Sequence, residues 1–112
     1  MEFLEAPVFT RNLPRYLDDE SYRGLQNALA DVPDLGDVMP GTGGFRKVRW
    51  TDSRRGKGRR GGLRVIYYWF DNRNQIWLMA IYDKDEALNL TPDQKKMLKD
   101  AIDAEKKSRS KR

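Results

Sequence analysis

The chain has 112 residues and a mass of 13.1 kDa, a size that accommodates one domain with one hydrophobic core. It contains no cysteine and no histidine, which excludes disulfide bridges, thiol nucleophiles, Cys/His zinc sites and every mechanism that needs a catalytic histidine. Lys and Arg exceed Asp and Glu by 22 to 17, and the aromatic fraction of 11% argues against a fully disordered chain.

The N-terminal part predicts a short extended segment, two helices and a loop. Residues 10–17 favour one or two helical turns, which Pro14 limits. Asp18 or Asp19 can cap a second helix. Its apolar face is formed by residues at helical spacing: Tyr22, Leu25, Leu29 and Val32. Residues 33–44 begin with proline and are rich in Gly, Pro and Asp, so they end this helix and form a loop.

The middle of the chain predicts the strands of an antiparallel sheet. Residues 45–50 predict a strand, and alternation puts Lys47 and Arg49 on one face with Val48 and Trp50 on the other. Leu63–Phe70 and residues 75–82 are two β-branched and aromatic runs separated by the turn sequence DNRN. Two adjacent apolar strands joined by a tight turn indicate an antiparallel sheet covered by helices, and therefore an α+β fold.

The C-terminal part predicts a helix. The sequence TPDQ at residues 91–94 is a capping box with proline at the first helical position. The apolar face that follows is formed by Met97, Leu98, Ala101 and Ile102. Residues 106–112 are basic and are expected to form a flexible tail. No repeat or linker divides the sequence, so residues 1–112 are predicted to be a single domain.

The positive charge is concentrated in the middle of the chain. Residues 38–82 carry ten Lys and Arg but only Asp52 and Asp71 as acidic residues, whereas residues 1–37 carry three basic and eight acidic residues. Five cations lie among four glycines in the predicted loop 51–62: Arg54, Arg55, Lys57, Arg59 and Arg60. Such a loop suits a phosphate backbone, and we favour a nucleic-acid partner over a surface that only maintains solubility.

Further cations flank this loop. Lys47 and Arg49 lie on the preceding strand and Arg64 opens the following one, so pairing of the two strands would bring all three to one end of the sheet. Arg64 stands in an apolar run, where a charge is either functional or paired, here in a salt bridge to the acidic N-terminal segment. Tyr82 and Lys84 close the next strand and would neighbour this cluster, although Tyr82 could equally be a core residue.

Five segments carry a resemblance to known proteins: GDV at 36–38, GTGGFRKVR at 41–49, KGRRGGLRVIYY at 57–68, IYDKDE at 81–86 and LTPDQK at 90–95. Together they resemble the RelE/ParE superfamily of bacterial toxins, and its HigB-like branch most closely. The resemblance covers essentially the whole chain. It implies a small α+β domain in which N-terminal helices and a C-terminal helix pack against a strongly curved antiparallel sheet.

The resemblance implies the toxin of a type II toxin–antitoxin system, an endoribonuclease that cuts mRNA in the ribosomal A site. The ribose 2′-OH attacks the adjacent phosphate, and no metal or cofactor takes part. By position, Arg64 and Lys47 would stabilise the phosphorane, Arg49 or Lys84 would assist, and Tyr82 would stack on a base or help to transfer a proton. RelE carries a further arginine and tyrosine where this chain has Asp85 and Thr91, which leaves the general acid and base unassigned.

The resemblance also implies the partners of this protein. They are the ribosome with its mRNA and a cognate antitoxin from an adjacent gene, whose complex with the toxin would bind operator DNA. The absence of cysteine, of a signal peptide and of a membrane-spanning run favours a cytoplasmic protein, and we expect the free toxin to be a monomer. Two alternatives are a ParE-like toxin that poisons gyrase and an RNA-binding module without activity.

Overall fold

The computed structural model describes residues 1–51, 62–85 and 89–110. Its elements follow in chain order as β1 (Glu2–Glu5), α1 (Pro7–Tyr16), α2 (Asp19–Asp31), β2 (Asp37–Val38), β3 (Arg46–Trp50), β4 (Leu63–Phe70), a 3₁₀ turn (Asp71–Arg73), β5 (Gln75–Asp83) and α3 (Pro92–Ser110). The α+β class predicted from the sequence is confirmed. None of the helices in the described ranges is long and apolar enough to cross a lipid bilayer.

The strands form one sheet in the order β1-β5-β4-β3-β2. β3, β4 and β5 pair antiparallel, as the sequence predicted. β2 lies in the segment that was predicted to be a loop, and it also pairs antiparallel with β3. β1 instead lies parallel to β5, with Glu2 opposite Gln75, so the sheet is mixed rather than wholly antiparallel. Parallel strands cannot be joined by a tight turn. Because most of the domain lies between β1 and β5 in the sequence, no local signal marks the direction of β1.

Two helices cover one face of the sheet. α1 begins at Pro7, earlier than predicted, because proline is well suited to the first turn of a helix, and it continues through Pro14. Asp18 caps α2: its carboxylate accepts a hydrogen bond from the Ser21 N–H at 2.7 Å. The core beneath these helices contains buried residues from helices and strands alike: Phe9, Tyr16, Leu25, Leu29, Val65, Leu78 and Ile81.

The third helix covers the opposite face. The predicted capping box at its start is confirmed, since the Thr91 N–H donates to Gln94 Oε1 at 2.9 Å and the Gln94 N–H donates to Thr91 Oγ1 at 3.1 Å. The core beneath α3 is smaller than the first and is formed by Met39, Phe45, Ile66, Phe70 and Ile102. The sheet therefore separates two apolar layers.

The helix α3 continues to Ser110, so the predicted flexible tail is wrong for residues 106–110. Arg109 is the physical reason. Its guanidinium lies 3.8 Å from the centre of the Phe70 ring and donates hydrogen bonds of 2.8 Å to Gln75 Oε1 and Glu105 Oε2. These contacts hold the last helical turn on the sheet. Residues 111–112 lie outside the described residues.

A β-bulge in β5 changes which side chains face each layer. Ile66 pairs with Ala80 whereas Tyr67 pairs with Leu78, so Met79 is an extra residue on β5. Leu78 and Ile81 both contribute to the core under α1 and α2, although they are three residues apart. Tyr82 consequently faces the α3 side, where uninterrupted alternation from Leu78 would have directed it to the other core.

Candidate active site

Three cationic residues meet on the α3 side of the sheet. Arg49 on β3 lies directly opposite Arg64 on β4, and Arg64 lies directly opposite Tyr82 on β5. Lys47 precedes Arg49 by two residues and therefore shares its face. The convergence that the sequence predicted for these three cations is present in the structure.

The face on which these cations lie is determined by the apolar residues beside them. Val48, between Lys47 and Arg49, is buried in the core under α1 and α2. Leu63 and Val65, on either side of Arg64, belong to the same core. Alternation along both strands therefore directs the charged side chains to the opposite face.

A cleft of about 490 Å³ lies beside the cations. It is lined by Leu35, Asp37, Lys47, Val48, Arg49, Arg64 and Asn89. An adjoining cleft of about 280 Å³ shares Asp37, Lys47 and Asn89 and is also lined by Lys95, from the first turns of α3. Such a concave surface with several cations has the shape and charge needed to hold a phosphate group.

Arg64 is half-buried, and its Nη1 donates a 3.1 Å hydrogen bond to the carbonyl oxygen of Leu63. The residue directly opposite it on β3 is another arginine, and like charges at directly opposite positions of a strand pair destabilise the pair. Of the acidic residues in the N-terminal segment 1–37, Asp37 lines the same cleft as Arg64.

Tyr82 belongs both to the row of Arg49 and Arg64 and to the side chains that pack on the core under α3. Its hydroxyl is buried and has no hydrogen-bond partner within the described part of the chain. Burial raises the pKa of this hydroxyl, and the positive charge of Arg64 opposes that shift. The phenol is therefore protonated at neutral pH, and Tyr82 does not line either of the two clefts.

Lys84 directly follows β5 and lies at the same end of the sheet. Its backbone N–H donates to the carbonyl oxygen of Gly62 at 2.9 Å, and this hydrogen bond connects the end of β5 to the start of β4. The other predicted RNA-binding residues lie outside the described ranges, so their role stays a prediction: Arg54, Arg55, Lys57, Arg59 and Arg60.

Sequence reasoning assigned no role to Asp37 or Asn89. Asp37 lies on β2, a strand of two residues inside a segment predicted to be a loop, so no alternation was present to reveal it. The segment before Asp37 is held in place by Tyr67, a residue that is far from it in the sequence. The Tyr67 hydroxyl donates to the Pro33 carbonyl oxygen at 2.7 Å and accepts from the Gly36 N–H at 2.9 Å. A tyrosine that anchors a distant loop has no signature in the sequence.

No known protein-family model matches this chain.

Proposed function

We propose that this protein is the toxin of a type II toxin–antitoxin system, a RelE-like endoribonuclease that cleaves mRNA in the ribosomal A site. The observation that carries the proposal is the convergence of Lys47, Arg49 and Arg64 on one cleft. A cleft of this volume lies within the range of small-molecule pockets, roughly 300–1,000 Å³, so it can take a nucleotide with its phosphate.

The proposed reaction requires stabilisation of the negative charge that develops on the phosphate. When the 2′-oxygen attacks the phosphorus atom, negative charge accumulates on the oxygens of the phosphorane. Guanidinium groups bind such oxygens through two parallel hydrogen bonds, and an ammonium group adds a compact positive charge. We propose that Arg64 and Lys47 stabilise the negative charge of the phosphorane and that Arg49 assists them. Fixed hydrogen-bond donors that point at developing charge are a large source of catalysis.

The two opposed arginines also favour a bound phosphate on energetic grounds. Arg49 and Arg64 are like charges at directly opposite positions, an arrangement that is unfavourable in a strand pair. A phosphate between them would replace that repulsion with two attractive interactions.

Tyr82 and Lys84 would extend the proposed site beyond the cleft, on its β5 side. The protonated phenol of Tyr82 is suited to donate a hydrogen bond, and the ligand would supply the partner that the described residues do not. A buried polar group without a partner costs about 1–3 kcal/mol, so this is the role that its burial favours. Lys84 adds positive charge at the same end of the sheet.

The proposal includes the partners and the compartment that the family resemblance implies. The toxin would act on ribosomes in the cytoplasm and would be monomeric when free. A cognate antitoxin would neutralise it, and their complex would bind operator DNA. The masking of a strongly basic cleft by an antitoxin would be consistent with the charge of residues 38–82.

The test is brief induction of the protein in a bacterium, followed by mapping of mRNA 5′ ends. We expect cuts in phase with codons inside translated frames, and we expect Arg64→Ala to abolish them. Arg23→Ala is the matched control, because Arg23 is an exposed arginine on α2, which packs on the opposite face of the sheet. It should cleave like the wild type.

Two other results would each contradict the nuclease. Growth arrest with intact messages and damaged DNA would support a gyrase poison instead. Binding of RNA or ribosomes without any cleavage would support an RNA-binding module. For that module, Arg64→Ala should reduce binding and the cellular effect in proportion, whereas for a nuclease cleavage falls far more than binding.

A further inference from the structure

Asp37 is the one acidic side chain among the described residues that line the two adjoining clefts. The other charged groups there are cations: Lys47, Arg49, Arg64 and Lys95. In β2, Asp37 lies directly opposite Lys47 of β3, so the two side chains project from the same face of the sheet. The carboxylate therefore belongs to the surface on which the three cations converge.

A carboxylate at this position opposes the binding of RNA. Phosphate oxygens that are attracted by Lys47 and Arg64 are repelled by Asp37, so the carboxylate lowers the affinity of the cleft for a polyanion. The residue is exposed and does not contribute to either core. Asp37 therefore does not assist the binding of RNA. If the carboxylate has a role at this site, that role belongs to the cleavage step.

Proton acceptance is the chemistry that the cationic side chains cannot provide while they carry their positive charge. Lysine and arginine side chains are hydrogen-bond donors without acceptor capacity, and the amide of Asn89 does not take up a proton. The hydroxyl of Tyr82 is protonated and buried. Asp37 is thus the described cleft residue with free lone pairs on an ionisable oxygen.

The position across the sheet is also suitable. β2 and β4 are separated by β3, which places the backbone of Asp37 roughly 10 Å from that of Arg64 in the direction across the strands. A ribose and its phosphate would fill that gap. The 2′-oxygen would lie on the β2 side, and the leaving 5′-oxygen would point towards β4 and β5, as in-line displacement requires.

We propose that Asp37 is the general base of the cleavage reaction, an inference that rests on the proposed function. The carboxylate takes the proton of the 2′-hydroxyl while the 2′-oxygen forms a bond to phosphorus. The bond between phosphorus and the 5′-oxygen breaks, and that oxygen takes a proton from a water molecule. The resulting hydroxide takes the proton from Asp37, which restores the carboxylate and leaves a 2′,3′-cyclic phosphate and a 5′-hydroxyl.

The test measures cleavage and binding separately. Single-turnover cleavage is followed on purified ribosomes that carry an mRNA in the A site, with wild type, Asp37→Asn, Asp37→Ala and Asp37→Glu. Binding is measured on the same ribosomes with an mRNA whose scissile nucleotide is 2′-deoxy and cannot react. Asp31→Asn is the matched control, since Asp31 is an exposed aspartate at the end of α2.

If Asp37 is the general base, its replacement should slow cleavage without weakening the binding of ribosomes. Asp37→Asn should slow cleavage by roughly 10²–10⁴-fold, the usual contribution of general base catalysis. The same variant should bind ribosomes as tightly as the wild type or about two- to fivefold more tightly, because one repulsive charge is removed. Added formate should restore part of the cleavage by Asp37→Ala, and Asp37→Glu should retain part of it.

Results that would refute the role of Asp37 can be distinguished from a result that would refute the proposed nuclease. If Asp37→Asn cleaves within about threefold of the wild type, Asp37 is not the base. If cleavage and binding fall together and formate restores nothing, Asp37 only orients Lys47. If the wild type itself does not cleave mRNA on ribosomes, the nuclease proposal fails, and the assignment of Asp37 fails with it.

Discussion

Arg49 on β3 and Arg64 on β4 lie directly opposite each other in an antiparallel strand pair. Two guanidinium groups at such positions repel each other, and a fold selected for stability alone would place an acidic or apolar residue at one of them. The pair therefore connects the stability of the sheet with the phosphate binding that we propose for this cleft.

Replacement of one of these arginines should separate stability from activity. Arg49→Met keeps the long side chain but removes the charge, so we expect the free energy of unfolding to increase by about 0.2–1 kcal/mol. The growth arrest expected from the proposed function should be weaker. Urea unfolding measures the first quantity and growth arrest the second. Arg11→Met, at an exposed position on α1, should change neither. A lower stability of Arg49→Met would contradict this account of the pair.

The hydroxyl of Tyr67 should contribute to both the stability and the activity of the protein. Tyr67→Phe removes the hydrogen bonds to Pro33 and Gly36, and the loss should reduce the free energy of unfolding by roughly 1–3 kcal/mol. The activity should fall as well, because the segment before Asp37 loses its anchor. Tyr68→Phe is the matched control, since no hydrogen bond of its hydroxyl is seen among the described residues. Equal stability of the two variants would show that the anchor is unimportant.

Gly36 lies where an additional carbon atom cannot be accommodated. A Cβ there would lie 2.9 Å from the backbone of Lys47 and 3.0 Å from the Tyr67 ring. Gly36→Ala should therefore push β2 away from β3 and destabilise the fold by about 1–3 kcal/mol. Gly24→Ala is the control: Gly24 lies within α2 and its Cβ would meet Trp50 only at 4.0 Å. That variant should gain about 0.5–1 kcal/mol, and thermal unfolding of both proteins measures the difference.

Three tyrosines should make the protein less stable at alkaline pH. Burial raises the pKa of the Tyr22, Tyr67 and Tyr82 hydroxyls above the ordinary value of 10.0, and a hydrogen bond to Glu5 adds to the shift at Tyr22. Since the unfolded chain loses these protons first, stability that is complete below about pH 10 decreases as the pH rises further. Urea unfolding between about pH 8 and pH 11 measures the slope. Tyr22→Phe should flatten it, and an unchanged slope would exclude Tyr22 as a contributor.

Local signals in the sequence predicted the elements that form the site. The alternation around Lys47 and Arg49, the apolar run of β4 and the capping box at Thr91 each depend on neighbouring residues, and each is present in the structure. Because β3 and β4 are consecutive strands, their pairing could also be expected, and with it the meeting of Arg49 and Arg64.

What the sequence did not reveal depends on contacts between distant residues. β1 and the end of α3 both contact Gln75 of β5, which pairs with Glu2 and accepts a hydrogen bond from Arg109. The place of Asp37 depends on an anchor from Tyr67, which is far from it in the sequence. Such contacts follow from the assembled sheet and leave no periodic pattern.

The extra residue at Met79 makes β5 tolerant of a change in its length. Removal of Met79 would restore regular alternation and leave each later residue opposite its present partner on β4. Ile81 would stay in the larger apolar layer, and Tyr82 would stay opposite Arg64. We therefore expect a deletion of Met79 to cost far less than the deletion of a paired residue in a strand without a bulge, where every later side chain changes face. The bulge separates the spacing of β5 in the sequence from the arrangement of the candidate site.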